Sequence, residues 1–573
     1  MSATAVSIPD ALADRARQQP DDLAYTFVDY DFDPAGVTEH LTWSELHERV
    51  GVVADKLANI GRPGDRAVIL APQSLDYIVA FLGAIQAGLI AVPLSMPMFR
   101  RHDERIAGVM EDATPVAVLT TSDVIEDIRR YGTATNRQAP KFVEVDALDF
   151  DIPAGPTPVA LPKAGYIQYT SGSTRRPAGV VVTHRNIFEN MEQIVPDYFE
   201  AYDAPPPDLT IVTWLPLYHD MGLLTGVFLG MRLGRTTVLM SPVAFMQKPA
   251  RWIRHLAAYP HTFTAAPNFA YDLAVKRTTD DELTVLDLSG VVVMINGAER
   301  VHGATVRRFN ERFGPLGLPE SAMRPSYGLA EATVYITSSA GGQAPTSVWF
   351  DYEKLAIGHA ERCADGSGSE HIGLGVPRST TVRIVDPQTY TENPAATIGE
   401  VWLHGPQVAG GYWHNPQLTA QHFAGHLAHP SAGTPKGPWL RTGDLGVMFD
   451  DELFLVGRTK DLLIIDGRNH YPDDIEATVQ ELTGGRVAAV SVPDGVGEKL
   501  VVIAELRSQM DPSQLGALKQ QLRAVLSQKH NVHLADAVLV ARGALPLTTS
   551  GKVRRVTSAQ MYQDGEFQRS DVS

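Results

Sequence analysis

GYIQYTSGSTRRPAGVVVTHRNIFENMEQIV, residues 165–195, reads as an apolar strand, a loop rich in hydroxyls and glycine, a second strand and an amphipathic helix. Thr183 or Asn186 stands where the helix N-cap belongs. In the loop, Gly172 lets backbone N–H groups converge on an anion, and the hydroxyls of Thr170, Ser171, Ser173 and Thr174 add donors. That is a cradle for a polyphosphate. It is not a Walker loop, because G-x-x-x-x-G-K-[ST] occurs nowhere in the chain. Taken alone, such a loop is more often a plain surface turn.

Outward from this unit, short runs rich in Val and Ile recur between helical patterns: RAVILA (66–71), PVAVLTT (115–121), TIVTWLPL (210–217), TTVLM (236–240) and VVVMING (291–297). Such alternation predicts an α/β fold with parallel sheets covered on both faces. Near residue 380 the texture changes to short strands separated by Gly, Pro and Asn turns, which predicts an antiparallel or barrel-like subdomain over about 375–459. Strand and helix alternation then returns. The expected division is a large domain, 1–459, and a small α+β domain, 460–573, with a frayed polar end from about 560.

At 573 residues the chain exceeds one ordinary core. Its 49 basic and 66 acidic residues give a net charge of -17, which argues against nonspecific nucleic-acid binding. The single cysteine, Cys363, rules out an internal disulfide framework and fits a reducing, cytoplasmic setting. The N-terminus has no secretory pattern and reads as the start of a helix in a soluble protein. The apolar stretch 77–99 is interrupted by Gln86, Pro93 and Pro97, which predicts a helix followed by a short buried strand rather than a transmembrane segment.

YTSGSTRRPAGVVVTH resembles the phosphate loop of the adenylate-forming superfamily of acyl-CoA synthetases, luciferases and peptide-synthetase adenylation domains. Where the usual form ends in Gly-x-Pro-Lys-Gly, this chain has Arg175 and Ala178 at the first glycine and the lysine. Both departures look like the fatty-acyl-AMP ligases of the mycobacterial FadD type. The resemblance continues in order over about residues 10–560. WLPLYHDMGLLTG (214–226) is similar to the segment beside the carboxylate site, with His219 and Asp220 matching; Trp214, Asp220, Met221, Gly222 and Met231 are acyl-pocket candidates. TAAPNFAYDL (264–273) follows as a pocket segment. INGAER (295–300) resembles the loop against adenine, through Gly297, Ala298 and Glu299.

In SYGLAEATV (326–334), the match implies that Tyr327 stacks on adenine, that Gly328, Leu329 and Ala330 border the nucleotide, and that Glu331 holds Mg²⁺. It places Asp444 on the ribose hydroxyls, Arg458 near ribose and phosphate, and Lys460 at an interdomain hinge. Lys552, in LPLTTSGKVRR (545–555), matches the lysine that reaches the α-phosphate and the attacking carboxylate. With Glu331 and His219 it completes the expected catalytic set.

The stretch after Glu331, containing FDYEKL (350–355), looks like the insertion of fatty-acyl-AMP ligases, here about 341–365. The resemblance implies a monomeric ligase that uses ATP and Mg²⁺, and no coenzyme A, to convert a long-chain fatty acid to its acyl-adenylate. The acyl group would pass to the phosphopantetheine arm of an acyl carrier domain of a polyketide synthase, for lipid biosynthesis. Arg100, Arg101, Arg105 and the Arg554–Arg555 pair are candidate docking cations for that acidic partner. An acyl-CoA synthetase of the same fold and a binding relative without turnover remain the alternatives.

Overall fold

The computed structural model describes residues 7–97, 103–133, 139–152, 155, 160–170, 178–465, 468–494, 497–508, 510–548 and 552–570. The quoted unit folds as its pattern predicts. The strand Ala164–Thr170 pairs antiparallel with Ala178–Thr183, and the helix His184–Tyr198 follows. Thr183 is its N-cap: its Oγ1 accepts the N–H of Asn186, whose Oδ1 in turn accepts the N–H of Thr183.

These two strands close one edge of a six-stranded sheet whose other pairings are parallel. A second, eight-stranded sheet is parallel through its centre, with an antiparallel strand at each edge. Between them, the near-wholly buried helix Leu75–Gln86 leads into the strand Ile90–Pro93, so the apolar stretch near residue 80 is core. Phe81 meets both Tyr166 from the first sheet and Phe228 from the segment 224–228. No helix among the described residues is long and apolar enough to cross a membrane.

Residues 381–458 form the predicted antiparallel sheet, in the order Thr381–Val385, Gly399–His404, Leu440–Phe449, Glu452–Arg458. A final three-stranded sheet combines the antiparallel pair Gly484–Asp494 and Gly497–Leu506 with the parallel strand Leu534–Val540. Its own apolar core, including Ile475, Val479, Leu522 and Leu526, is separate from the main one.

The predicted fraying from 560 is corrected. The helix Arg555–Gln563 packs Ala559 and Tyr562 on the far face of this sheet. Arg569 then forms a fork with Asp536, 2.8 Å to each carboxylate oxygen, and the N–H of Ser570 donates to Leu539. A polar tail can be ordered when its charges find partners on a sheet edge.

Candidate active site

Three parallel strands of the eight-stranded sheet end side by side: His261–Pro267, Val291–Gly297 and Met323–Gly328. Ligands of open α/β sheets bind outside such carboxyl ends, where the loops diverge. The loop carrying Ala298 and Glu299 and the loop carrying Leu329, Ala330 and Glu331 leave from here. Gly328 is required by space: a Cβ there would stand 1.7 Å from the carbonyl oxygen of Val334.

Each loop holds a carboxylate by one specific donor. Glu331 accepts the hydroxyl of Tyr412 at 2.7 Å, and Glu299 accepts the N–H of Phe269 at 2.6 Å. Burial raises the pKa of both above the ordinary glutamate value, with these hydrogen bonds opposing it. Tyr412 belongs to a segment that runs beside the strand Ala178–Thr183: Trp413 donates its N–H to Gly179 and Gly410 to Val181. The strand Ala178–Thr183 and Glu331 are thereby braced together. Sequence reading missed Tyr412, whose only signal is an aromatic between Gly411 and Trp413.

Tyr327 donates its hydroxyl to Asp444 Oδ2 at 2.6 Å, and Arg458 Nε donates to Asp444 Oδ1 at 3.0 Å. Asp444 and Arg458 face each other across an antiparallel pair, which explains how residues 14 apart meet. The carboxylate beside it raises the pKa of Arg458. Lys460 has its pKa lowered by burial and then by Arg458.

His219 Nδ1 lies 2.6 Å from Asp220. Burial alone would raise the Asp220 pKa, but His219 and the Met221 N–H outweigh it and hold the carboxyl below its usual range. Trp214 is buried in a face-to-face stack with Phe245, 3.8 Å between centroids. Gly222 is needed for the turn that presents His219, because a Cβ there would stand 2.2 Å from the Pro216 carbonyl oxygen. Met221 and Met231 are buried; Met231 borders a small apolar cavity with Ile8, Ile187 and Phe228.

Lys552 reaches this place from the far end of the chain. Its backbone is fixed in a short bridge, Thr548 N–H to the Lys552 carbonyl at 2.8 Å and Lys552 N–H to Thr548 Oγ1 at 3.0 Å. Its Nζ donates to the carbonyl of Ala298, a residue held at φ 62. Burial, then Arg458, lowers the Lys552 pKa; Glu299, Asp220 and Asp444 oppose that. Thus Asp220, Glu299, Asp444, Arg458 and Lys552 share one electrostatic neighbourhood, and Glu331 feels both Asp220 and Asp444.

The stretch after Glu331 contributes a hairpin of Ser347–Phe350 and Ser369–Ile372 enclosing the helix Tyr352–Ala356. Glu353 binds Arg468 and Asn531, each at 2.7 Å, and the Tyr352 ring meets His530 edge-on. Phe350 and Leu355 pack in one cluster with Tyr471. Arg555 is not a free docking cation as expected: it is bound to Asp461, Asp473 and Glu476 at 2.6–3.1 Å. Arg105 donates to Ser95. Ser171, Gly172, Ser173, Thr174, Arg175, Arg100 and Arg101 lie outside the described residues; Thr170 ends its strand at the mouth of the loop. Among the described residues no group of three or more His, Cys, Asp or Glu could hold a metal ion.

The AMP-binding enzyme family profile matches residues 12–413, and the Disco-interacting protein 2-like AMP domain matches 460–572. The chain is 52% identical to the long-chain-fatty-acid–AMP ligase FadD26 of Mycobacterium marinum, with 100% of each covered. It is 51% identical to a 4-hydroxyphenylalkanoate adenylyltransferase of Mycobacterium tuberculosis, covering 99% of this chain and 93% of that one. Among solved structures, a fatty acyl-adenylate ligase from L. pneumophila in complex with acyl adenylate and pyrophosphate is 31% identical, with TM-score 0.73 over 98% of this chain and 97% of that one.

Proposed function

The chain belongs to the AMP-binding enzyme family as a fatty-acyl-AMP ligase, and from that premise we propose how its residues act and where its product goes. The substrate is a long-chain fatty acid, and the reaction joins its carboxylate to the α-phosphorus of ATP while pyrophosphate leaves in line. Two anions meet in that step, so positioning and charge neutralisation are the main demands.

The loop 170–174 holds the departing phosphates. Tyr327 borders the adenine with Gly297, Ala298, Glu299, Gly328, Leu329 and Ala330. Asp444 takes the ribose hydroxyls; a carboxylate has lone pairs left after Tyr327 and Arg458 are bound. His219 stands on the carboxylate side. Lys552 spends one donor on Ala298 and keeps others for the α-phosphoryl and carboxylate oxygens. The observation that carries this reading is the hydrogen bond from Lys552 Nζ to the Ala298 carbonyl, which brings the far end of the chain to the loop that carries Glu299.

A lone carboxylate such as Glu331 suits Mg²⁺, which keeps several waters and is bound by one or two carboxylates together with substrate phosphate. Bound there, Mg²⁺ would neutralise phosphate charge; Tyr412 keeps the Glu331 carboxylate aimed. Lys552→Ala should lower acyl-adenylate formation by about 10²–10³. Pyrophosphate release at the wild-type rate in that variant would remove the role assigned to the lysine.

We also place the division of the chain at 459/460 with Lys460 as the hinge, and the acyl carrier domain of a polyketide synthase as acceptor. The docked hairpin supports the latter, since it grips residues 468–471 and 530–531 and so limits the swing that a freely diffusing thiol would need. A fatty-acid panel read by pyrophosphate release, then by acyl transfer to coenzyme A or to a carrier domain, separates this acceptor from the synthetase alternative. Efficient transfer to coenzyme A would sink it.

A further inference from the structure

Arg300 follows directly on the loop that carries Ala298 and Glu299. Its Nη1 donates to Asp474 Oδ1 at 2.5 Å, in a pair that is largely buried on both sides. Its Nη2 reaches the Glu370 carbonyl at 3.2 Å and Ser369 Oγ at 3.4 Å, and Ser369 Oγ donates to the same Asp474 oxygen at 2.8 Å. Asp474 lies in the first turn of the helix Pro472–Thr483. The same helix, through Asp473 and Glu476, binds Arg555 at 2.6 and 2.7 Å. Arg555 is three residues beyond Lys552, and Lys552 donates back to Ala298.

These contacts form a closed ring: Ala298, Arg300, Asp474, the helix, Arg555, Lys552 and Ala298 again. We infer that Arg300 is a positioning residue for acyl-adenylate formation, setting through this ring where Lys552 stands over the α-phosphate. The inference rests on the proposed role of Lys552. Its physical basis is that a buried ion pair seldom adds net stability over a well-packed apolar pair, and its best-attested use is to fix register. Here it fixes the register of a helix against the loop whose carbonyl receives the lysine. The adjacent acids divide the work: Asp474 binds the loop side, and Asp473 the lysine side. Ser369 and Glu370 bring the inserted hairpin into the same joint.

The test uses the full chain, a saturating fatty acid and pyrophosphate release. Arg300→Ala should lower kcat by about 10- to 100-fold, as a misplaced catalytic group does, while KM for ATP stays within about twofold because uniform nucleotide binding is untouched. Arg300→Lys, which retains one charged donor, should recover part of the loss. The decisive measurement is the cycle with Lys552→Ala. If Arg300 acts through Lys552, Arg300→Ala/Lys552→Ala is no slower than Lys552→Ala alone. Rates that multiply in the double variant, or a KM for ATP that rises while kcat holds, overturn the inference. Asp474→Asn carries the same cycle if Arg300→Ala does not fold. A wild-type chain that releases no pyrophosphate with any fatty acid would instead overturn the functional reading.

Discussion

Lys552 and Glu331 have pKa values displaced toward each other, and the displacement has a sign that kinetics can read. Burial and then Arg458 take Lys552 below its ordinary 10.5, so the protonated form is lost at a lower pH than for an exposed lysine. Burial takes Glu331 above its ordinary 4.5, so its carboxylate is lost earlier as pH falls. Because kcat/KM reports the free enzyme, its profile for ATP should narrow from both sides. The alkaline limb falls below the lysine value and the acid limb rises above the glutamate value. Lys552→Arg, which keeps its charge at every accessible pH, should lose the alkaline limb. An alkaline limb that persists unchanged in that variant would assign it to another group. These positions stood out in the sequence because Lys552, Glu331, Asp444 and Arg458 each sit in a motif. Tyr412 did not, since its value comes from a strand pairing that puts it against Glu331, 81 residues away.

At the scale of the element, three contacts of the helix inside the inserted hairpin can be ranked by their magnitudes. The Glu353 contacts are exposed, and pairs of that sort are worth about 0–1 kcal/mol. The Tyr352–His530 edge contact adds about 0.5–1.5 kcal/mol. Leu355 is buried against Tyr471 and Phe350, and truncating such a leucine costs about 2–5 kcal/mol. Apolar burial therefore holds the hairpin, and the charges only orient it. Hydrogen exchange in the strands Ser347–Phe350 and Ser369–Ile372 should accelerate far more in Leu355→Ala than in Glu353→Ala. The reverse order would mean that the ion pairs carry the docking. The sequence marked this stretch as an insertion through FDYEKL, but nothing in one chain says which partner a loop will meet. Continuous runs of Val and Ile made the parallel strands legible for the opposite reason: their neighbours are set by burial on both faces. The tail near Arg569 misled because its polar residues are satisfied by Asp536, a partner that composition cannot display.

Among the described residues, the largest apolar core spans residues 8–409, and a smaller, separate one spans 463–539. The smaller one covers one face of the three-stranded sheet, and the helix Arg555–Gln563 helps cover the other. What joins the two regions is narrow and mostly polar: Arg300–Asp474, Glu353–Arg468, the Tyr352–His530 rings and Lys552–Ala298, with one apolar contact where Tyr471 packs on Phe350 and Leu355. Interfaces of that character permit relative motion and separate opening. Denaturant unfolding should therefore depart from a single two-state transition, with amides of the helix Pro512–His530 exchanging through an opening that leaves the strands Val291–Gly297 and His261–Pro267 protected. A non-reactive acyl-adenylate analogue is bound, on the proposed function, by Asp444 on one side and Lys552 on the other. At about 100 times its Kd it adds about 2.7 kcal/mol to any opening that breaks the site. Exchange should then slow in both regions together, and in Lys552→Ala the slowing of the Pro512–His530 helix should shrink while that of the large core remains. If the analogue protects both regions equally in the lysine variant, the two cores already open as one unit, and the small one has no independent motion for catalysis to use.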